Sequence, residues 1–227
     1  MQAIILAAGE GVRLRPYTLI TPKVLLTIKG IPLLNYHIEK LNNLGISNED
    51  IFVVCGYLKE EIEGFLRKFH PGVKIIEQIK NKKGTSAALE SVESFIGREE
   101  ILVLYGDIFY CDNLKNFYKL DYAIGVTEVE DVSKFGKVIS KDGFLEEIRE
   151  KSEGGRGEIF AGILKIKKDF FQALKEVKPN EKSGEYYLTD AILIYNKKRK
   201  FKVYKMNGYW LDIGSEEFLK KAREIQS

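Results

Sequence analysis

The 227-residue chain is poor in the residue types that most often carry metal or redox chemistry. It has two cysteines, two histidines, two methionines and one tryptophan. Cys55 and Cys111 lie far apart with no C-x-x-C spacing, which argues against a disulfide framework or a dithiol redox pair and favours a reducing cytoplasm with both thiols idle. His37 and His70 have no nearby His or Cys, so a zinc site is not expected. Long apolar runs are missing too. The opening "AIILAA" is too short to span a bilayer and has no basic segment before it, so it reads as neither an anchor nor a signal peptide. The net charge of +3 is the small remainder of 36 basic and 33 acidic residues, so nothing compels a nucleic-acid partner.

The chain does have material for a core, with 44% hydrophobic residues at a length suited to one large domain. Short apolar runs ("QAIIL", "IFVVCGY", "VKIIEQ", "ILVLY") alternate with segments of helical period ("IPLLNYHIEKLNNLGI", "LKEEIEGFLRKF", "TSAALESVESFI"). Leu34, Ile38, Leu41 and Leu44 share one helical face, Gly45 is the expected stop, and Thr85 or Ser86 is the expected N-cap of the third helix. That alternation predicts an α/β protein whose parallel sheet is covered by helices on both faces. After Asp112 the pattern changes to alternating strands ("YAIGVTEV", "GKVIS", "FLEEI", "EIFAGILKI"). Helices beginning at "DFFQALKEV" and "YYLTDAILIYNKK", a strand "FKVYKM" and a closing helix "SEEFLKKAREIQ" then follow. No repeat or linker divides the chain, so one domain over residues 1–227 is expected, in halves of about 1–112 and 113–227.

Functional chemistry concentrates first in "LAAGEGVRLRPYTLITPK", Leu6 to Lys23. Glycines let backbone N–H groups approach phosphate oxygens, and the loop follows the first strand, where such a loop belongs. A dinucleotide fingerprint fails because Leu14 stands where G-x-G-x-x-G needs its third glycine, and no Walker A sequence occurs. Arg13, Arg15 and Lys23 add the fixed positive charge that two anionic substrates would need.

"LAAGEGVRLRP" followed by "TPK" resembles the signature of the sugar-1-phosphate nucleotidyltransferases. The resemblance continues in order through "KGTSAAL", "LYGDIFY", "FGKV", Glu150–Lys151, "GEYYLTDAI" and "GYWLDIG", nearly the whole chain. It is most like archaeal-type UTP- or dTTP-using members, over their catalytic domain and without the left-handed β-helix of longer relatives. The resemblance implies a Rossmann-like, mixed but mainly parallel sheet flanked by helices, with a small antiparallel sugar-binding portion in the second half.

The implied reaction joins a nucleoside triphosphate to a sugar 1-phosphate with release of pyrophosphate. Matched residue by residue, Leu6, Ala7, Ala8, Gly9, Glu10 and Gly11 hold the nucleotide, Arg13 grips the departing pyrophosphate and Lys23 lies against the reacting phosphates. Asp107, at the carboxyl end of an apolar strand, and Asp212, in "WLDIG", match the two carboxylates that hold Mg²⁺. Gln78, Gly84 and Thr85 match the base-reading positions, and Gly136, Glu150 and Lys151 the sugar side. Tyr186 and Tyr187 read as core or rim aromatics. A homo-oligomer is compatible with all of this.

Three departures bear on substrate choice: Val12 replaces a threonine, Ser152 a proline, and Phe160 an asparagine that contacts the sugar. Rival readings stay open. One is a cytidylyl- or guanylyltransferase acting on phosphocholine, heptose 1-phosphate or another phosphate. A second is a glycosyltransferase, against which the absence of a well-spaced D-x-D in "GDIFYCD" counts. The third is a non-enzymatic nucleotide-binding regulatory subunit.

Overall fold

A run of six buried residues, Gln2–Ala7, forms the first strand (β1) of the computed structural model, which describes residues 1–149 and 154–224. The chain then passes through the glycine loop into a two-residue ribbon, β2 (Thr27–Ile28) and β3 (Ile31–Pro32), and helix α1 (Leu33–Asn43). β4 (Ile51–Cys55), α2 (Lys59–Phe69), β5 (Lys74–Glu77), α3 (Thr85–Glu90) and β6 (Glu100–Tyr105) complete the first half. The second half holds β7 (Ile108–Tyr110), β8 (Ala123–Val129), β9 (Lys137–Lys141), β10 (Phe144–Arg149) and β11 (Gly157–Lys167). These lead into α4 (Phe171–Glu176), α5 (Leu188–Asn196), β12 (Lys202–Lys205), β13 (Trp210–Asp212) and α6 (Glu216–Glu224).

One nine-stranded sheet runs through both halves in the order β5-β4-β1-β6-β11-β8-β12-β10-β9. β5, β4, β1 and β6 are parallel; β11 turns the sheet antiparallel against β6 and β8, and β12 is inserted parallel to β8. The architecture is the expected mixed α/β sheet. Because successive strand residues face opposite ways, the apolar runs of β1, β4 and β6 feed two cores. Ile4, Leu6, Phe52, Val54 and Val103 pack with residues of α3, α4 and α5. Ala3, Ile5, Val53, Leu102 and Leu104 pack with Leu34, Ile38 and Leu41 of α1 and Ile62 and Leu66 of α2.

α1 ends where the sequence predicts, with Gly45 at φ +82° donating its N–H to Asn42 O at 2.9 Å. α3 departs from expectation twice. Gly84, not Thr85 or Ser86, occupies the N-cap, and no side chain caps it. Thr85 Oγ1 instead accepts the N–H of Leu188 at 3.0 Å, and Ser86 is buried. The helix also stops at Glu90 rather than running to Ile96. Ser91 turns its hydroxyl back onto Ala87 O and accepts the N–H of Ile79, the kind of local bond that competes with helix propagation. A separate short turn covers Glu93–Phe95.

The two-residue ribbon and the pair β7–β13 were too short to read from the sequence, yet β7–β13 organises the site. It aligns Asp212 with Ile108, one residue past Asp107. α6 packs over it, its Leu219 and Ala222 joining Leu14, Leu26, Phe109 and Ile213 in a third small core. Among the described residues, no helix is long and apolar enough to cross a membrane.

Candidate active site

Open α/β sheets bind ligands beyond the carboxyl ends of their parallel strands. Here the ends of β1, β4, β5 and β6 open into a cleft of about 840 Å³. Leu6, Ala7, Ala8, Gly9, Glu10 and Gly11 all line it, together with Lys23, Gln78, Gly84, Thr85 and Asp107. The two glycines of the loop serve different ends. Gly11 adopts a left-handed φ of +63°, and its carbonyl receives both the Leu14 N–H and the Thr18 hydroxyl at 2.8 Å. A Cβ on Gly9 would meet nothing within 4 Å, so its smallness widens the cleft and serves no internal packing.

Lys23 is almost buried, which for a lysine requires a partner. Its ammonium donates to Asp107 Oδ2 at 2.6 Å and stands 3.6 Å from Asp212 Oδ1. The second separation is too long for a hydrogen bond. Asp212 Oδ1 is therefore a buried oxygen with unspent accepting capacity. Burial, and then the neighbouring Asp107 carboxylate, raise the pKa of Asp212; Lys23 and Arg13 pull it back. One lysine set against two close carboxylates leaves a site that favours further positive charge. Hard oxygen donors, one of them unspent, fit Mg²⁺, with remaining ligands from phosphate and water. Among the described residues no group of three His, Cys, Asp or Glu side chains forms a self-sufficient metal cluster.

Arg13 is exposed and does not line the cleft. It lies beside the carboxylate site, its Nη2 3.0 Å from where a Cβ on Gly214 would fall. Asp107 is held by backbone on both sides. Gly106 N–H donates to Leu6 O at the end of β1, and Ile213 N–H donates to Asp107 O just after β13, both at 2.9 Å.

At the other end of the cleft, the loop carrying Gln78 and Gly84 is clamped by Glu185–Leu188. Tyr186 N–H donates to Lys83 O at 2.8 Å and Ser86 N–H to Tyr186 O at 2.9 Å. This supplies a structural reason for Gly84. A Cβ there would lie 2.5 Å from Tyr186 O, so the residue is small to admit the Tyr186 backbone, and its φ of +102° also suits glycine. Gln78 Nε2 donates to Lys82 O at 3.1 Å, which fixes the direction of its amide.

The structure does not bring every expected residue into the cleft. Gly136 precedes β9 and is not among its lining residues; the neighbouring Phe135 ring packs edge-on against Trp210 at 5.7 Å. Glu150 and Lys151 lie outside the described residues, as does Ser152. Phe160 backs the cleft wall, half-buried, with its ring edge-on to Tyr105 at 5.5 Å. The sequence reading missed Tyr57, Glu77, Lys82, Lys83, Tyr105 and Glu185, which also line the cleft. Most of them follow a strand's carboxyl end, the one positional signal that could have flagged them.

The family model described as nucleotidyl transferase matches residues 2–226. The bifunctional protein GlmU of Methanocaldococcus jannaschii is 39% identical over 216 residues, 94% of this chain. The chain spans about half the length of that relative (51%). The UTP–glucose-1-phosphate uridylyltransferase AglF of Haloferax volcanii is 33% identical, with 96% of this chain and 93% of the relative covered. A Bacillus anthracis structure assigned as a glucose-1-phosphate thymidylyltransferase superposes with a TM-score of 0.86 at 28% identity, over 100% of this chain and 97% of its own. With the glycine loop, the buried lysine and the paired aspartates assembled at one sheet edge, the chain belongs to the nucleotidyl transferase family.

Proposed function

We propose that this chain transfers a nucleoside monophosphate from a nucleoside triphosphate, UTP or dTTP by preference, to a sugar 1-phosphate. The products are a nucleotide-diphospho-sugar and pyrophosphate. One observation carries the reading: an anion-suited glycine loop, a nearly buried lysine and Asp107 meet at one end of a cleft, with the Asp212 carboxylate beside the lysine though not among the lining residues, and the other end offers a fixed amide.

In this reaction a phosphate oxygen of the sugar 1-phosphate bonds to the α-phosphorus while the bond to the β-phosphate breaks, its electron pair leaving with pyrophosphate. Little covalent work falls to the protein; it must bring two polyanions together and neutralise charge in place. The backbone of Leu6–Gly11 cradles the triphosphate, and the open space at Gly9 admits it. Lys23 neutralises the reacting phosphates, and Arg13, at the edge of the site, the departing pyrophosphate. Asp107 and Asp212 would hold Mg²⁺, which supplies Lewis-acid neutralisation of phosphate oxygens. Gly136, Glu150 and Lys151 are assigned to the sugar phosphate on the resemblance alone.

Preference for a uracil-like base rests on Gln78. With one N–H spent on Lys82 O, the amide keeps an accepting oxygen and one N–H in fixed order. That order complements the adjacent N–H and carbonyl of uracil or thymine. To suit cytosine the amide would have to flip and lose the Lys82 bond.

The deciding measurement is pyrophosphate release with each triphosphate against glucose, N-acetylglucosamine, mannose and galactose 1-phosphates, phosphocholine and heptose 1-phosphate. Turnover with UTP or dTTP and a sugar phosphate is expected. Turnover confined to CTP or GTP, or to a non-sugar phosphate, would replace the reading, and none with any pair would leave a binding protein.

A further inference from the structure

His37 is fully buried on α1, outside the cleft lining but within electrostatic reach of Lys40 and Asp107, and it takes no part in the proposed chemistry. Burial lowers its pKa from 6.5 to about 4, so the ring is neutral near pH 7. Its Nε2 lies 3.2 Å from Gly106 O, and a carbonyl can only accept, so Nε2 carries the proton and Nδ1 is bare. Nδ1 has no partner. Tyr110, whose ring centroid is 5.6 Å away, likewise buries an unpartnered hydroxyl. With Asp212 Oδ1, these are the buried side-chain atoms without a hydrogen bond among the described residues, and all three lie on or behind the ribbon that carries the two aspartates.

An all-apolar contact would fill this space without burying a bare Nδ1 and a lone hydroxyl, but it would leave Gly106 O without its partner. What the polar contact adds is a grip on one peptide. Gly106 N–H is held by Leu6 O in β1, and Asp107 O is held by Ile213 N–H after β13. Gly106 O, the carbonyl of the Gly106–Asp107 peptide itself, is held by His37. α1 reinforces that hold on either side. Tyr36 packs edge-on against Phe109 at 5.3 Å, and Lys40 donates to Asp112 O at 3.2 Å while standing over the Tyr110 ring.

We propose that His37 is the positioning residue for Asp107: its Nε2–H fixes the Gly106–Asp107 peptide and thereby the spacing between the Asp107 and Asp212 carboxylates. Of the three ties around this peptide, the two on its flanking peptide units are backbone to backbone. The third is a side chain, and it alone can be removed by substitution without breaking the sheet. The inference rests on the proposed role of the carboxylates as metal holders.

The test compares His37→Leu, which fills the space without a donor, His37→Gln, whose amide nitrogen reaches about as far as Nε2, and His37→Asn, whose amide falls short. Mn²⁺ binding in the presence of inorganic pyrophosphate, followed by electron paramagnetic resonance, reads the carboxylate pair without turnover and without a choice of base. Leu and Asn are expected to weaken Mn²⁺ binding on the order of tenfold and to lower kcat with little change in nucleotide KM, while Gln recovers binding to within about threefold. Thermal melting run alongside separates this from loss of fold. If Leu does not fold, the Gln–Asn contrast still decides. Wild-type Mn²⁺ affinity in a folded Leu or Asn variant, or equal loss in Gln and Asn, would overturn the proposal. Wild-type protein that binds no Mn²⁺ would instead remove the metal role of the aspartates, a separate result.

Discussion

The two ends of the cleft are built by opposite means. At the carboxylate end, the backbone seats the aspartates but side-chain charges make the contacts: Lys23 reaches Asp107 at 2.6 Å, and Arg13 approaches from outside the cleft. At the end proposed for the base the main chain does it, with Lys83–Ser86 stitched to Tyr186–Leu188 by two backbone hydrogen bonds and one from a backbone N–H to a hydroxyl. Side-chain charge can be removed while the fold stays in place. A backbone clamp cannot be disturbed without disturbing the fold. Substitutions at the first end should therefore separate activity from stability, and those at the second should change both together.

The largest effect is expected for Asp107→Asn, which exchanges a charged oxygen donor for a neutral amide of equal volume. Activity should fall on the order of a thousandfold, about 4 kcal/mol of transition-state stabilisation. The melting temperature should hardly move, because no packing is lost; an unfolded variant would erase the contrast between the two ends. Gly84→Ala comes next. Its Cβ would press on the Tyr186 backbone at 2.5 Å from a left-handed φ, a strain of about 3 kcal/mol. Chemical denaturation should show that loss, and nucleotide KM should rise with it. Unchanged stability with a changed KM would mean that the base end, too, is built by side chains.

Arg13→Ala should lower kcat about a hundredfold with the melting temperature held, since a donor aimed at developing charge counts more in the transition state than in binding. A rise in KM alone would reduce Arg13 to a binding contact. The smallest change is Thr85→Val, which strands the Leu188 N–H at a cost of about 1 kcal/mol. Denaturation curves for this variant should shift with little change in kcat.

The same contrast explains what could be read in advance. Strand–helix alternation exposed the parallel half of the sheet because strands buried on both faces leave continuous apolar runs. At the carboxylate end, the glycine loop with Arg13 and Lys23 was conspicuous in one dimension, whereas the pairing of Asp107 with Asp212 was expected only from the family resemblance. The base end was only half legible. "KKGTS" stood out, but the partner that makes Gly84 necessary lies a hundred residues on, at Tyr186, and Thr85 bonds Leu188 rather than its own helix. His37 was read in the sequence only as unfit for a zinc site, and nothing local marks its bond to Gly106. β7 and β13 have three residues each, too few to leave a period, although their pairing sets the two aspartates side by side.

Trp210 gives that short ribbon a second attachment. Its indole N–H donates to Ala161 O at 3.0 Å, where β11 breaks register with β8 and Gly162 takes a φ of +75°. Phe160 is the residue just before that carbonyl, and Asp212 lies two residues beyond the indole. The stretches proposed here for acceptor and metal are thus joined by a hydrogen bond at an irregular point of the sheet. If the proposed roles hold, a chain evolving toward a different acceptor by changes along β11 would also shift the seat of its own carboxylate, so that a new preference and a new reaction rate would be inherited together.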